Sequence, residues 1–219
     1  MPRRLSLPDS ASVADTGADG RMYAPSAARN IPHIRDLLAQ FAPQTGRALE
    51  LAAGTGEHAV ALAGALAGLD WQPSDVDPAR LRSIDAHAAD AGLANLRPVI
   101  TLDATAPGWS AAHPGQDLIV LVNLLHLIST PEAHTLVAEA AMALAPGGVL
   151  FLYGPFLRDG EATSEGDARF DASLRAQDPE IGLKDDWEVI DWINAAWLDL
   201  AAVVEMPANN LALIARKPG

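Results

Sequence analysis

The sequence predicts an α/β protein built on one seven-stranded, mostly parallel sheet that ends in an antiparallel C-terminal β-hairpin. Three observations predict it. Short apolar runs alternate with helical stretches, the pattern of parallel strands joined by crossover helices. A glycine-bearing turn closes the first of these strands and opens a helix. Near the end, the apolar runs Leu200 to Met206 and Leu211 to Ala215 are separated only by Pro207-Ala208-Asn209-Asn210, far too short for a parallel crossover.

Taken in order, the first strand is read as Arg47 to Ala52. A helix from Glu57 to Gly68 follows, so rich in Ala, Val and Leu that it packs on several sides. The second strand, Trp71 to Asp75, leads into a helix with Asp77 as N-cap and Pro78 at its first position. Leu81, Ile84, Ala88 and Ala91 mark one face of that helix. Arg97 to Leu102 reads as the third strand and Asp117 to Val122 as the fourth. Thr130-Pro131 repeats the cap-then-proline start for a helix with Leu136, Val137, Ala140 and Leu144 inward, and Gly147-Gly148 stops it. Val149 to Tyr153 is the fifth strand. The polar stretch Gly154 to Asp186 is read as a long loop with one short helix near Phe170 to Gln177; such loops serve as lids or stay poorly ordered. A helix carrying Trp187, Ile190 and Ile193 precedes the hairpin.

The 219 residues suit one domain, placed at 21–219, behind a leader of residues 1–20 rich in Ser, Asp, Gly and Ala and expected to be disordered. The longest apolar run, Leu118 to Ile128, is too short to span a bilayer and is interrupted by Asn123 and His126. The leader lacks the apolar block of a secretory signal. With no cysteine, disulfides, zinc–thiolate sites and thiol nucleophiles are excluded, and a reducing cytoplasmic location is expected. A net charge of −13, with Lys184 and Lys217 as the two lysines, repels phosphate backbones and anionic lipid. The expected partner is therefore a small-molecule substrate, with neither nucleic acid nor membrane involved. The oligomeric state is not legible. The six histidines show no ligand spacing, so no metal site is expected.

The chemistry concentrates at Glu50-Leu51-Ala52-Ala53-Gly54-Thr55-Gly56-Glu57. Glycines let a backbone turn sharply and approach a ligand, and a helix N-terminus offers unpaired N–H groups. Gly54-x-Gly56-x-x-Ala59 also satisfies the dinucleotide pattern, or marks simply a tight strand-to-helix turn. Asp75 closes the second strand, 21 residues after Gly54, where a carboxylate can accept from both ribose hydroxyls. Asp103 follows the third strand, placed to accept from an adenine amino group. Asp77 is explained by capping. Glu50 separates two cofactors: an acid there suits a cationic sulfonium and ammonium and repels a pyrophosphate. A short-chain reductase would need Tyr-x-x-x-Lys, and neither Tyr23 nor Tyr153 is followed by that lysine.

The set E-L-A-A-G-T-G, S-D-V-D-P, L-D-A and D-L-I-V-L-V-N-L-L-H resembles the Rossmann-like class I S-adenosylmethionine-dependent methyltransferases. With R-M-Y-A-P-S-A-A-R-N, W-Q-P-S-D, F-L-Y-G-P-F and V-E-M-P-A-N-N-L, it looks most like the methyltransferase-like 26 family, from Arg21 to Lys217. The resemblance implies S-adenosylmethionine as cofactor. Glu50, Ala52, Gly54, Thr55, Gly56, His58, Asp75, Asp103 and Asn123 would bind it, with Arg29 and Asn30 closing over it from an N-terminal helix. Methyl transfer is an in-line displacement that needs alignment and exclusion of water, and a base only when the nucleophile holds its proton late. His126 is the candidate base, Asn123 the candidate orienting group, and Tyr153 a substrate contact. Against these stand a core histidine and simple aromatic packing. Two other functions stay open, a non-catalytic S-adenosylmethionine-binding regulatory protein and a nicotinamide-dependent reductase.

Overall fold

Seven strands in the order β3-β2-β1-β4-β5-β7-β6 cross the computed structural model, which describes residues 14–17 and 19–219. They are β1 (Gly46–Leu51), β2 (Leu69–Asp75), β3 (Ile100–Thr101), β4 (Gln116–Val122), β5 (Leu144–Leu157), β6 (Asp199–Met206) and β7 (Asn210–Arg216). β1 through β5 pair in parallel, while β7 runs antiparallel between β5 and β6. Lys184–Asp185 adds a short parallel ladder on the end of β5. The expected fold class holds, hairpin included.

Helices cover both faces, so β4 and the middle of β5 carry near-continuous apolar runs, while β6 at the sheet edge alternates. On one face α1 (Pro25–Phe41) and α2 (Glu57–Ala65) bury Ile34, Leu38 and Leu62 against Leu118, Val120 and Phe151. On the other, α4 (Thr130–Ala143) and α6 (Asp186–Ala195) bury Leu136, Val137 and Ile193 against Ile119, Leu121 and Leu150. Adjacent strand residues thus feed opposite cores, as the two-residue period requires. α3 (Pro78–Ala91) begins on Asp77, whose side chain accepts from Ala79 N and Arg80 N.

Several boundaries differ from expectation for local reasons. α2 stops at Ala65, and Gly68 then passes so close to Gln44 that an added Cβ would lie 2.0 Å from its carbonyl oxygen. The third strand shrinks to Ile100–Thr101, plus a bridge from Leu96 to Trp71, because Pro98 has no N–H for a ladder. The N-cap of α4 is Ser129, not Thr130; Ser129 and Glu132 form a reciprocal capping box. α4 ends at Ala143, and Leu144 and Gly147-Gly148 already belong to β5. β5 runs past Tyr153 because Asn210 and Lys184 continue its ladder opposite Pro155 and Phe156. Within Gly154 to Asp186 a full helix, α5 (Glu165–Gln177), starts on Ser164. The leader expectation lies mostly outside the described residues; within them, Asp15–Thr16 pairs with Met22–Tyr23.

Gly56 joins the site to this framework. It caps α2 with φ 95°, and a Cβ there would lie 2.8 Å from the Ile84 Cα of α3. Gly56→Ala is therefore expected to destabilise the protein by roughly 2–4 kcal/mol. Calorimetry should show this as a fall in Tm of about 5–15 °C.

Candidate functional site

The site begins where β1 runs out. Ala52, Gly54 and Gly56 all take positive φ, of 51°, 62° and 95°. For Ala52 this left-handed conformation costs on the order of 1 kcal/mol, a strain of the kind that gathers at ligand sites. The end of β2 holds the loop in this shape. Ala53 N donates to Ser74 O at 2.8 Å, and Ser74 Oγ donates to Glu50 O at 2.8 Å. The Asp75 carboxylate accepts from the N–H groups of Gly54 (2.9 Å), Val76 (2.8 Å) and Asp77 (3.0 Å).

Above this loop opens a cleft of about 120 Å³. Glu50, Ala52, Gly54, Thr55 and His58 form its floor; Asn123, Leu124 and Leu127 form one wall; Met22, Ala24 and Ala27 roof it. Glu50 is its most unusual group. Only 2% exposed, it accepts a 2.8 Å hydrogen bond from Trp71 Nε1. Burial pushes its carboxyl up to about 8, the Trp71 bond opposing and the nearby Asp75 charge reinforcing the shift. At neutral pH this acid is mostly protonated in the ligand-free protein, and a cation entering the cleft would favour its ionised form.

His58 Nε2 lies 2.8 Å from Asn30 Oδ1, which makes it the donor; burial depresses the imidazole to about 4. Asn30 also hydrogen-bonds Tyr153, whose hydroxyl burial pushes up. Asn123 ends β4 at φ 58°, its N–H donating to Tyr153 O at 2.8 Å.

An N-terminal helix over the cleft was expected; the contacts that fasten it there were not. Glu57 Oε2 accepts from Ala24 N (2.7 Å) and from Thr55 Oγ1 (3.0 Å), tying the start of α1 to the glycine loop. Ser83 Oγ accepts from Met22 N and donates to Thr55 O, both at 2.7 Å. His87 Nε2 donates to Met22 O at 2.9 Å, and Arg21 pairs with Asp90. The run R-M-Y-A-P held the signal, with Pro25 in the first turn of α1, but nothing in it named Glu57, Ser83 or His87 as its anchors.

The structure thus brings Glu50, Ala52, Gly54, Thr55, His58 and Asn123 together around one cleft, with Gly56 and Asn30 directly behind. Other expected residues stand elsewhere. Asp75 anchors the loop and is outside the lining. Asp103 accepts from Thr105 N (3.0 Å) and Thr105 Oγ1 (2.6 Å), also outside it. Arg29 is exposed on α1, and Tyr153 is buried beneath the roof helix. His126 sits in the 3₁₀ turn Leu125–Leu127, behind the wall, its ring 5.5 Å from that of Phe170. Burial and the Lys184 charge depress it to about 3.

The folded Glu50 carboxyl holds its proton up to about 8, whereas the unfolded one releases it near 4.5. Its contribution to stability is therefore present at low pH and lost as pH rises through that window. Glu50→Gln keeps an acceptor for Trp71 and removes the titration. Melting curves from pH 5 to 8.5 should show the variant gaining on the wild type as pH rises.

The family described as "Protein of unknown function (DUF938)" matches residues 21–217. Among solved structures, a candidate O-methyltransferase from Nostoc punctiforme is similar with TM-score 0.77 and 20% identity, over 88% of this chain and 57% of that one. An O-methyltransferase family 2 protein from Planctomyces limnophilus in complex with apigenin gives 0.69 and 20%, over 90% and 63%. Human N-acetylserotonin methyltransferase in complex with SAM gives 0.69 and 16%, over 87% and 52%. The chain spans between about half and two thirds of the length of these proteins, and shares with them the class I methyltransferase fold.

Proposed function

The chain belongs to the DUF938 family, and for this member we propose S-adenosylmethionine-dependent methyl transfer to a small-molecule acceptor in the cytosol. The observation that carries the proposal is Glu50: a buried carboxyl at the floor of a glycine-loop cleft can ionise against a cationic ligand. The motif resemblance to the methyltransferase-like 26 family points the same way, as do the bound ligands of the human and Planctomyces proteins.

The residues present fit that cofactor. Glu50 would hold its ammonium, and the loop from Ala52 to Thr55 would let it approach the backbone. An ionised carboxylate offers about four lone-pair sites, so Asp75 keeps capacity for a ribose hydroxyl after three backbone bonds. Val76, 40% exposed at the same strand end, offers apolar surface to a base, and Asp103 stands near the next strand end. When bound, S-adenosylmethionine supplies a methyl carbon already activated by its sulfonium.

The protein's remaining task is alignment and exclusion of water. The roof of Met22, Ala24 and Ala27 limits water, and the uncharged wall of Asn123, Leu124 and Leu127 selects an acceptor with an apolar body. His126, neutral at physiological pH and without a side-chain hydrogen bond among the described residues, is the proposed proton acceptor, with Asn123 orienting the nucleophile. Tyr153 acts from behind, through Asn30.

A second reading, cofactor binding without methyl transfer, is favoured by one observation: His126 packs on Phe170 outside the cleft lining. Isothermal titration is expected to show saturable one-site binding of S-adenosylhomocysteine and none of NADH. Glu50→Gln should weaken S-adenosylmethionine by at least about tenfold, or about 1.4 kcal/mol. Methyl-labelled cofactor incubated with a panel of phenols, amines and thiols then separates the readings: labelled product supports the enzyme, and tight binding without product supports the second.

A further inference from the structure

Lysine is almost never fully buried unless it is paired, yet Lys184 is only 5% exposed. No salt bridge partners it among the described residues. Its ammonium instead donates to two carbonyls, Ile128 O and Gly182 O, both at 2.8 Å. An ion whose direct partners are neutral dipoles is a poor stabilising device, because carboxylates that do not touch it repay its desolvation only in part. What the ammonium does achieve is a bridge. Ile128 closes the turn whose Leu124 and Leu127 line the cleft, and Gly182 belongs to the strand entry beside β5.

The surroundings tighten that bridge. Gly182 N donates to His126 O at 3.1 Å, a second tie between the same two segments. Gly182 has φ 134°, and a Cβ there would lie 2.6 Å from Asp171 Oδ1 and 2.8 Å from Arg175 Cζ, so the chain is pressed onto α5. Leu183 N donates to Asp171 Oδ1 at 2.7 Å. Leu127, Leu174, Ile181 and Leu183 pack as one small apolar cluster, with Leu124 and Phe170 against it. Leu174 is the one residue that α5 buries fully, so the helix itself offers the wall little rigidity.

We propose that Lys184 is a positioning residue for methyl transfer: by bridging Ile128 O and Gly182 O it locks the turn carrying Leu124, His126 and Leu127, and so sets the acceptor-side wall of the cleft. This rests on the methyltransferase reading of the cleft. The lock also places a positive charge near the His126 ring, which disfavours a second proton there. Arg175 and Asp171 on α5, Glu188 on α6 and Glu132 on α4 are the other charges around the ammonium. Burial brings Lys184 down to about 8, so it remains mostly charged at neutral pH.

The test uses the full chain, ligand-free, with ¹⁵N-labelled histidine. Lys184→Met is expected to raise the His126 titration midpoint by about one pH unit or more and to speed amide exchange at Gly182 at least about tenfold. Lys184→Arg, which keeps charge and donors, should restore both. S-adenosylhomocysteine affinity should stay within about twofold in each variant, because the glycine loop lies on the other side of the cleft. If Lys184→Met does not fold, Lys184→Gln takes its place, keeping an N–H but not the charge. Unchanged His126 titration and Gly182 exchange in the uncharged variant would overturn the lock. No S-adenosylhomocysteine binding by the wild type would instead overturn the methyltransferase reading, with the lock still measured by the other two signals.

Discussion

The site depends on one carboxyl kept out of water. Glu50 lies at the end of the central strand β1, with its Oε2 on the indole N–H of a wholly buried tryptophan. Replacing both partners with apolar groups would make a better core. The pair is instead placed under a cleft whose floor it shares with a glycine loop and the His58 imidazole, where a buried acid becomes a latent charge. Burial keeps it mostly protonated at neutral pH in the ligand-free protein, and a cation in the cleft would favour its ionised form. That single property separates this site from the phosphate-binding version of the same strand-turn-helix, in which the helix N-terminus meets an anion.

Everything around Glu50 holds the loop in a shape it would not adopt alone. Asp75 draws three backbone N–H groups onto one carboxylate, Gly56 lets α2 and α3 approach to backbone contact, and Ala52 and Asn123 accept left-handed conformations at two neighbouring strand ends. Glu57 and Ser83 then carry the order outward, fastening the entry to α1 as a roof. The acceptor side is assembled differently, from a turn after β4 held by the buried ammonium of Lys184 and lightly covered by α5. One half of the cleft is rigid by backbone clamping; the other depends on a side-chain bridge.

Much of this was legible in the residues. Parallel strands buried on both faces leave unbroken apolar runs, and a four-residue link forces a hairpin, so the fold class and its C-terminal hairpin followed from spacing, while the order of the strands in the sheet did not. Caps were read to within one residue: Asp77 was correct, and Ser129 was displaced by Thr130 because either hydroxyl can precede Pro131. The floor of the cleft was legible because its chemistry is local, in the nine consecutive residues from Glu50 to His58. What was not legible depends on distant partners. Asp75 serves the loop's backbone in this structure, a contact that spacing alone cannot distinguish from a ribose contact. His126 and Tyr153 were placed correctly along the chain, but which side of a wall they occupy is decided by Phe170 and Asn30, from segments far away in sequence. The polar composition of 154–186 concealed α5, whose one fully buried residue gives almost no periodic signal.

Glu50 is thus proposed as a protonated acid waiting for a cation. Its most direct test is calorimetric titration of S-adenosylhomocysteine at pH 7 in two buffers of different ionisation enthalpy, for the wild type and Glu50→Gln. The account predicts release of about one proton per ligand bound by the wild type and nearly none by the variant. Binding without proton release, or equal release from both proteins, would contradict it.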